Sequence, residues 1–198
     1  MTFKNLPLAL LLAGALLPAL PLRADLDHVT VRPATPEEIA RYYKTHILDT
    51  MIWNPASGVP ISRIEVQLGN GKLLAYQGAN LVVSTVISTG REGYGTQPGN
   101  YSVIGKDPEH HSNLYGDFCD THGNVISGAD AGETPPAGLH YEGASMPWYL
   151  RLTDAGLGIH AGFVNGNAIS HGCIRLPPEL AEKFYRIVPV GTPVKIVP

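Results

Sequence analysis

Basic residues are scarce in this sequence of 198 residues, and nowhere do they gather into a cluster. Lysine and arginine together number 14 against 17 acidic residues, which gives a net charge of -3 at neutral pH. Binding to nucleic acid depends mainly on the neutralisation of phosphates by clustered lysine and arginine. The composition therefore argues against a nucleic acid partner.

The sequence also lacks the paired ligand spacing, such as His-Glu-x-x-His, that indicates a zinc site. A stretch rich in glycine, proline and aspartate nevertheless contains four histidines, which are His110, His111, His122 and His140. A hydrolase that uses these histidines would contain bound zinc. We expect no metal.

Cysteine is limited to Cys119 and Cys173, and neither follows the apolar N-terminal stretch as a lipid anchor would require. A disulfide between the two is the structural alternative to a reactive thiol in an exported protein. Residues 116–120 around Cys119 show no feature of a strand partner. We therefore expect both thiols to be free.

The first 24 residues have the pattern of a secretory signal peptide. Lys4 precedes an uncharged stretch, residues 5–22, which is rich in leucine and alanine and ends near Arg23-Ala24. We expect export to the periplasm and cleavage after residue 24, with an uncleaved inner-membrane anchor as the alternative. Because residues 1–24 contain two basic residues and no acidic one, the mature chain would have 12 basic and 17 acidic residues and a net charge of -5.

Residues 25–59 are predicted to form an N-terminal segment with one short helix. Thr35 at the N-cap, Pro36 in the first turn and Glu38 three residues after the cap are the signature of a capping box. The helix is expected to pack on the main domain through side chains at helical spacing, namely Ile39, Tyr42, Tyr43 and His46.

Residues 60–198 are predicted to form a single, mainly β domain. Apolar residues alternate with polar ones over residues 63–68, which indicates a half-buried strand. Further strands are expected over residues 73–77, 81–88, 100–104 and 194–197. A helix with proline in its first turn is expected between Arg175 and Pro189. Residues 105–147 lack a sustained period and are predicted to be a long inserted loop.

The strongest functional signal is the string Gly158-Ile159-His160-Ala161-Gly162 followed by Ser170-His171-Gly172-Cys173-Ile174-Arg175. A thiol is nucleophilic as the thiolate, and a free cysteine with a pKa of about 8.5 is mostly protonated at neutral pH, so it needs a base. The thirteen residues from His160 to Cys173 suffice for a strand and a return loop that bring the two together. His171 is the alternative base. Taken singly, such a cysteine or histidine is more often structural.

These two strings resemble the signature of the L,D-transpeptidase catalytic domain, also called the YkuD-type domain. The resemblance extends over about residues 62–197, and residues 111–116 and 146–149 resemble a subgroup of the family. It implies a mainly β, sandwich-like fold with short helices, of which the C-terminal one packs near the catalytic turn.

The same resemblance implies roles for individual residues. Cys173 would be the nucleophile and His160 the base, with the backbone carbonyl of Ala161 orienting the imidazole. The amides of Gly172 and Cys173 would form the oxyanion hole. The residues expected to contact the substrate are Ser170, His171, Arg175, Trp148 and Tyr149. Many family members have asparagine in place of Arg175, and the two aromatic residues fit equally well as a cover of the core.

The implied reaction is acyl transfer on peptidoglycan stem peptides, without a cofactor. The thiolate attacks the amide after the third stem residue, expels the terminal D-alanine and forms a thioester, which an amine from another stem, a protein or a free D-amino acid resolves. Water as the acceptor would make the protein an L,D-carboxypeptidase, and a silent site would leave an exported binding protein of the same fold. Covalent inhibition by a carbapenem is also expected.

Overall fold

The computed structural model of the protein describes residues 35–198. The predicted signal peptide, residues 1–24, and the start of the N-terminal segment lie outside the described residues. Within residues 35–198 there is no helix with the length and apolar character needed to cross a membrane.

The first helix, α1 (Pro36–Tyr43), has the predicted capping box at its start. The Thr35 hydroxyl accepts a hydrogen bond from the Glu38 amide at 3.3 Å, and the Glu38 carboxylate accepts one from the Thr35 amide at 2.9 Å. These two bonds satisfy amide donors that have no partner within the helix. The chain continues in a π-helical turn, Lys44–Leu48.

The packing face predicted for this helix is wrong in part. Ile39 and Tyr42 are about half exposed, whereas Ile47 in the π-helical turn is buried. Tyr43 is closer to the domain, and its hydroxyl donates a hydrogen bond to Glu179 at 3.2 Å. A π-helical turn closes its bonds over five residues instead of four, so it shifts the buried face away from the positions expected of a regular helix.

Fifteen strands and a second helix follow along the chain. They are β1 (Ile52–Trp53), β2 (Arg63–Gln67), β3 (Lys72–Gln77), β4 (Asn80–Val86), β5 (Thr89–Gly90), β6 (Gly99–Ser102), β7 (Gly105–Asp107), β8 (His111–Cys119), β9 (Val125–Asp130), β10 (His140–Ser145), β11 (Tyr149–Arg151), β12 (Gly158–Ala161), β13 (Ala168–Ser170), β14 (Ile174–Leu176), α2 (Pro178–Ile187) and β15 (Pro193–Val197). The mainly β prediction is confirmed.

The largest sheet has six strands in the order β1-β4-β3-β2-β15-β6. Its middle consists of the two predicted N-terminal strands and the predicted C-terminal one, with β15 parallel to β2 and Val194 opposite Ile64. At one edge β1 pairs with β4, Ile52 lying opposite Ser84. The segment before residue 60 therefore contributes a strand to the main sheet.

The second sheet contains the strands of the two strings singled out in the sequence and has the order β14-β12-β11-β7. Side chains of this sheet, of the six-stranded sheet and of α2 share one hydrophobic core. Ile159 and Ile174 come from the second sheet, Val66 and Leu73 from the first, and Phe184 from the helix. The core thus lies between two sheets, as in a sandwich, and α2 packs behind β12 and β14.

Residues 105–147 were predicted to be a long loop, and this prediction is wrong. Most of the segment forms an antiparallel three-stranded sheet in the order β10-β8-β9, and its first residues form β7 in the second sheet. Many side chains of β8, β9 and β10 are exposed or only partly buried. Because these strands bury little on either face, they lack the apolar alternation that marks a half-buried strand in a sequence.

Candidate active site

A cavity of about 730 Å³ lies between the three-stranded sheet and the second sheet. His160, Cys173 and Arg175 line it on one side, and residues 112–115 of β8 and 144–146 at the end of β10 line it on the other. The two strings singled out in the sequence therefore meet at one concave site.

The pairing of β12 with β14 explains how the histidine and the cysteine come together. The two strands are parallel, with His160 opposite Arg175. Cys173 precedes Arg175 by two residues, and side chains two positions apart in an extended chain lie on the same face. The imidazole and the thiol therefore face the same cavity, which both residues line.

Gly158 is the residue of β12 that the packing of the site requires to be small. A Cβ atom at this position would run into the ring of Tyr149 and the carbonyl of Leu150. Tyr149 is fully buried beneath the strand, and its hydroxyl donates a hydrogen bond to the Gly156 carbonyl at 2.9 Å. The absence of a side chain at Gly158 lets β12 lie directly on this ring.

His160 is 5% exposed, and its Nδ1 lies 2.7 Å from the backbone oxygen of Ala161. A carbonyl only accepts hydrogen bonds, so Nδ1 carries the proton and donates it. Nε2 is then the basic nitrogen of the ring. Burial lowers the pKa of His160 to about 4, and the charge of Arg175 and that of His110 when protonated act in the same direction. At neutral pH the imidazole is therefore uncharged, and the structure shows the carbonyl contact that the family resemblance implies.

Cys173 is a free thiol, as is Cys119, so no disulfide joins them. The thiol of Cys173 donates a hydrogen bond to the Gly156 carbonyl at 3.3 Å. Burial raises the pKa of Cys173, while a hydrogen bond from the Gly158 backbone and the charge of Arg175 partly offset this rise. The resting pair is consequently a neutral thiol with a neutral imidazole, and the proton must leave the sulfur as the sulfur attacks.

The turn before Cys173 is held by side-chain hydrogen bonds. Gly172 has a φ of +118°, which favours glycine, and its amide donates to the Ser170 hydroxyl at 3.1 Å. The Ser170 hydroxyl donates to the Cys173 carbonyl at 2.6 Å, and Thr96 donates to the Gly172 carbonyl at 2.6 Å. The Gly172 amide is therefore engaged inside the turn, and the prediction that it serves the oxyanion hole is not supported. Of the two predicted donors, the amide of Cys173 remains the candidate.

Ser170 also differs from its expected role in substrate contact. It borders the cavity, but it is 1% exposed and both of its hydrogen bonds are within the turn. Its hydroxyl thus fixes the conformation of the residues around the sulfur.

His171 lines the cavity but is engaged by three other side chains. Its Nε2 lies 2.7 Å from a guanidinium nitrogen of Arg91, and its ring stacks on Tyr115 with centroids 4.3 Å apart. Tyr94 meets the same ring edge-on at 4.9 Å. A guanidinium only donates, so Nε2 of His171 is the acceptor and is occupied. Burial and the nearby Arg91 and Arg175 lower the pKa of His171. These contacts favour His160 over His171 as the base.

Trp148 and Tyr149 were expected to contact the substrate, and the structure places both outside the residues that line the cavity. Tyr149 is 0% exposed, and burial raises its pKa to about 12. Trp148, at a positive φ of 59°, packs against the core and lies 5.5 Å from the ring of Tyr185. The position of both rings agrees with the alternative interpretation, in which they cover the hydrophobic core.

Sequence reasoning gave no role in this cavity to Tyr94, Tyr115 and Arg151, and it considered His110 only as a possible zinc ligand. The first two lie on segments that were predicted to be loops or to have no regular structure, and the fold brings them to the cavity that Cys173 also lines. Among the described residues, no group of three His, Cys, Asp or Glu side chains is arranged to hold a metal ion. The zinc alternative thus finds no ligand set within residues 35–198.

The fold and the paired side chains define a β-sandwich protein with a cysteine and a histidine in one cavity. A model of the L,D-transpeptidase catalytic domain, YkuD, matches residues 61–196. The chain belongs to this family. No curated protein matches the sequence.

Solved structures support the same fold. An L,D-transpeptidase from Mycobacterium smegmatis is 18% identical, with a TM-score of 0.53, 70% of this chain covered and 59% of that chain. A cysteine-to-serine mutant of the Enterococcus faecium L,D-transpeptidase is 22% identical, with a TM-score of 0.52, 70% of this chain covered and 50% of that chain. A third, in complex with imipenem, is 16% identical, with a TM-score of 0.51 and coverages of 69% and 59%. The chain thus spans about half to three fifths of the length of these structures.

Proposed function

We propose that the protein is a peptidoglycan L,D-transpeptidase with Cys173 as its nucleophile. The observation that carries the proposal is the geometry of His160, whose Nδ1 is held by the Ala161 carbonyl at 2.7 Å. This contact leaves Nε2 as a basic nitrogen in the cavity that Cys173 also lines. A nucleophile, a base and a carbonyl that orients the base are the parts that thiol catalysis requires.

In the first half-reaction, the sulfur of Cys173 attacks the carbonyl carbon of the third stem residue. Since the thiol and the imidazole both start neutral, His160 takes the thiol proton as the carbon–sulfur bond forms. The amide of Cys173 is the proposed donor to the oxyanion. His160 then passes the proton to the leaving nitrogen, and D-alanine departs to leave a thioester on the sulfur.

In the second half-reaction, an acceptor attacks the thioester and the thiol is regenerated. An amine from another stem gives a cross-link, an amine of a protein gives an attachment, and a free D-amino acid gives an exchanged stem. Water gives a shortened stem and would make the protein an L,D-carboxypeptidase. All four outcomes use the same acyl-enzyme.

The charges along the cavity support a peptide substrate with carboxylates. Arg151, Arg175 and a single acid, Asp154, line it. The cavity is therefore richer in positive charge than the chain as a whole, whose net charge is -3. Stem peptides carry free carboxylates that arginines at such a site would attract.

The relative that was solved with imipenem supports a further part of the proposal. We propose that a carbapenem acylates Cys173 and inhibits the protein. We also propose that residues 1–24 direct export to the periplasm, where peptidoglycan lies; N-terminal sequencing of the protein from a periplasmic fraction tests this, and an intact Met1 in that fraction would refute cleavage.

The experiment that tests the activity is incubation with purified disaccharide-tetrapeptide, followed by mass analysis of the products. The proposal predicts release of D-alanine together with dimers, or with stems that carry an added D-amino acid when one is supplied. The Cys173→Ala variant should form none of these. Release of D-alanine with only shortened stems would identify a carboxypeptidase. No product from the wild-type protein would favour a silent binding protein of the same fold.

A further inference from the structure

His110 is a second imidazole in the same cavity, and the mechanism above does not use it. It lies between β7 and β8, and its side chain is 17% exposed. Its ring stacks on Tyr149 with centroids 4.2 Å apart and planes 13° apart. Its backbone carbonyl accepts a hydrogen bond from the Met146 amide at 2.8 Å. The ring is therefore held against Tyr149, and the backbone of His110 is held by the residue that follows β10.

Asp107 determines which nitrogen of this ring carries the proton. One carboxylate oxygen accepts a hydrogen bond from the Glu109 amide at 3.1 Å, and the other lies 3.2 Å from Nδ1 of His110. A carboxylate only accepts hydrogen bonds, so Nδ1 of the neutral ring carries the proton and Nε2 is basic. Nδ1 of His110 therefore contacts Asp107 in the same way that Nδ1 of His160 contacts the Ala161 carbonyl.

His110 and His160 both line the cavity. Tyr149 is near both rings, with its ring centroid 4.2 Å from that of His110 and 6.5 Å from that of His160. When His110 is protonated, its charge lowers the pKa of His160. The groups that face His110 are Asp107 from β7, Tyr149 from β11 and His160 from β12.

Their surroundings suit them to different proton transfers. His160 is 5% exposed, and burial lowers its pKa to about 4, so it holds a proton only briefly during bond formation. An acceptor amine arrives as an ammonium group, whose pKa is about 8 for the α-amine of a peptide and higher for a free amino acid with its own carboxylate, and it must lose one proton before it can attack. A carboxylate beside an imidazole offsets the charge that the ring gains when it accepts such a proton.

We propose that His110, positioned by Asp107, is the base that removes the first proton from the acceptor ammonium. This inference rests on the proposed transpeptidase function. The freed amine attacks the thioester carbon, the carbon–nitrogen bond forms and the carbon–sulfur bond breaks. The second proton of the amine passes through His160 to the departing sulfur, and His110 releases the first proton to solvent. The products are an amide, the free thiol and one proton.

The test separates the two half-reactions in the His110→Gln variant. Formation of the Cys173 thioester from a tetrapeptide stem is measured by intact mass, and transfer to D-methionine is measured by its incorporation into the stem. At pH 7, acylation should change less than about 2-fold, because His160 performs it. Transfer should slow by about 10- to 100-fold, which is at or just below the low end of what a general base contributes.

Two controls distinguish proton removal from a structural effect. His111 is the adjacent histidine, exposed and absent from the cavity lining, so His111→Gln should leave both rates unchanged. At about pH 10.5 most of the D-methionine is already the free amine, because its own carboxylate raises the pKa of its ammonium group above about 9, so the His110→Gln defect should shrink to less than about 3-fold. Asp107→Asn should show the same pattern with a smaller defect.

Equal losses in acylation and transfer, no loss in transfer, or a defect that is the same at pH 7 and at about pH 10.5 would overturn the role of His110 and leave the proposed function standing. If the wild-type protein forms no thioester with the stem, the proposed function fails and this inference fails with it. The two failures are therefore told apart by the wild-type acylation measurement.

Discussion

Acid should destabilise the protein through His160 by an amount that its burial determines. The ring is uncharged when folded, with a pKa of about 4, whereas an unfolded histidine has a pKa of about 6.5. Between these values the unfolded chain binds the extra proton, so folding stability falls as the pH falls through 6.5 toward 4. At pH 4.5 this linkage costs about 2 to 3 kcal/mol relative to pH 7, since each pKa unit corresponds to about 1.4 kcal/mol.

Urea unfolding of the wild-type protein and of His160→Gln at pH 7 and pH 4.5 measures this cost. Glutamine cannot titrate, so the stability gap between the two proteins should shift by about 2 to 3 kcal/mol against the wild type at pH 4.5. His111→Gln serves as the matched control, because His111 is exposed. A gap that shifts by less than about 0.5 kcal/mol would show that the imidazole is not held uncharged by burial.

Three further predictions follow from single contacts. Iodoacetamide should modify Cys173 at a rate that keeps rising up to and beyond pH 8.5, because fewer than about 3% of such thiols are ionised at pH 7; a rate that is already level between pH 5 and pH 8 would indicate a thiolate–imidazolium pair instead. Gly158→Ala should cost about 1 to 3 kcal/mol in urea unfolding by driving a methyl group into the Tyr149 ring, and an unchanged stability would contradict that packing. Thr35→Ala should cost about 1 kcal/mol by removing the cap of α1, whereas Thr35→Ser should retain most of it.

The sequence predicted the parts of the fold whose local signals agree with their surroundings. Strand β2 alternates between core and surface, and α2 presents Leu180, Ala181 and Phe184 to the core at helical spacing. The cap at Thr35 is formed by residues three positions apart, so it needs no knowledge of the fold. In each case the information lies within one element.

The three-stranded sheet could not be predicted in this way. Its strands bury little, and glycines stand within them, since Gly116 and Gly143 face each other across β8 and β10. A side chain at either position would collide with the backbone of the neighbouring strand. Glycine is required here because two strands approach closely in the folded structure. In the sequence, such a glycine cannot be distinguished from the glycine of a loop.

The residues of the candidate site that belong to a sequence motif could be predicted. The roles of residues that depend on packing could not. His160 and Cys173 were found from their motif, and the parallel pairing of β12 with β14 accounts for their meeting. The engaged amide of Gly172 and the burial of Tyr149 depend on contacts that no spacing reveals. His110 was considered only as a possible zinc ligand, because its stacking on Tyr149 becomes visible only once β7 pairs with β11.

The most direct measurement of the account is peptide mapping of the protein trapped during reaction with a tetrapeptide stem and quenched in acid. The account predicts that the tripeptide acyl group, bound as a thioester, is found on the fragment that contains Cys173, and that His160→Gln greatly reduces its amount. An acyl group located on any other residue, or an unmodified Cys173 while D-alanine accumulates, would contradict it.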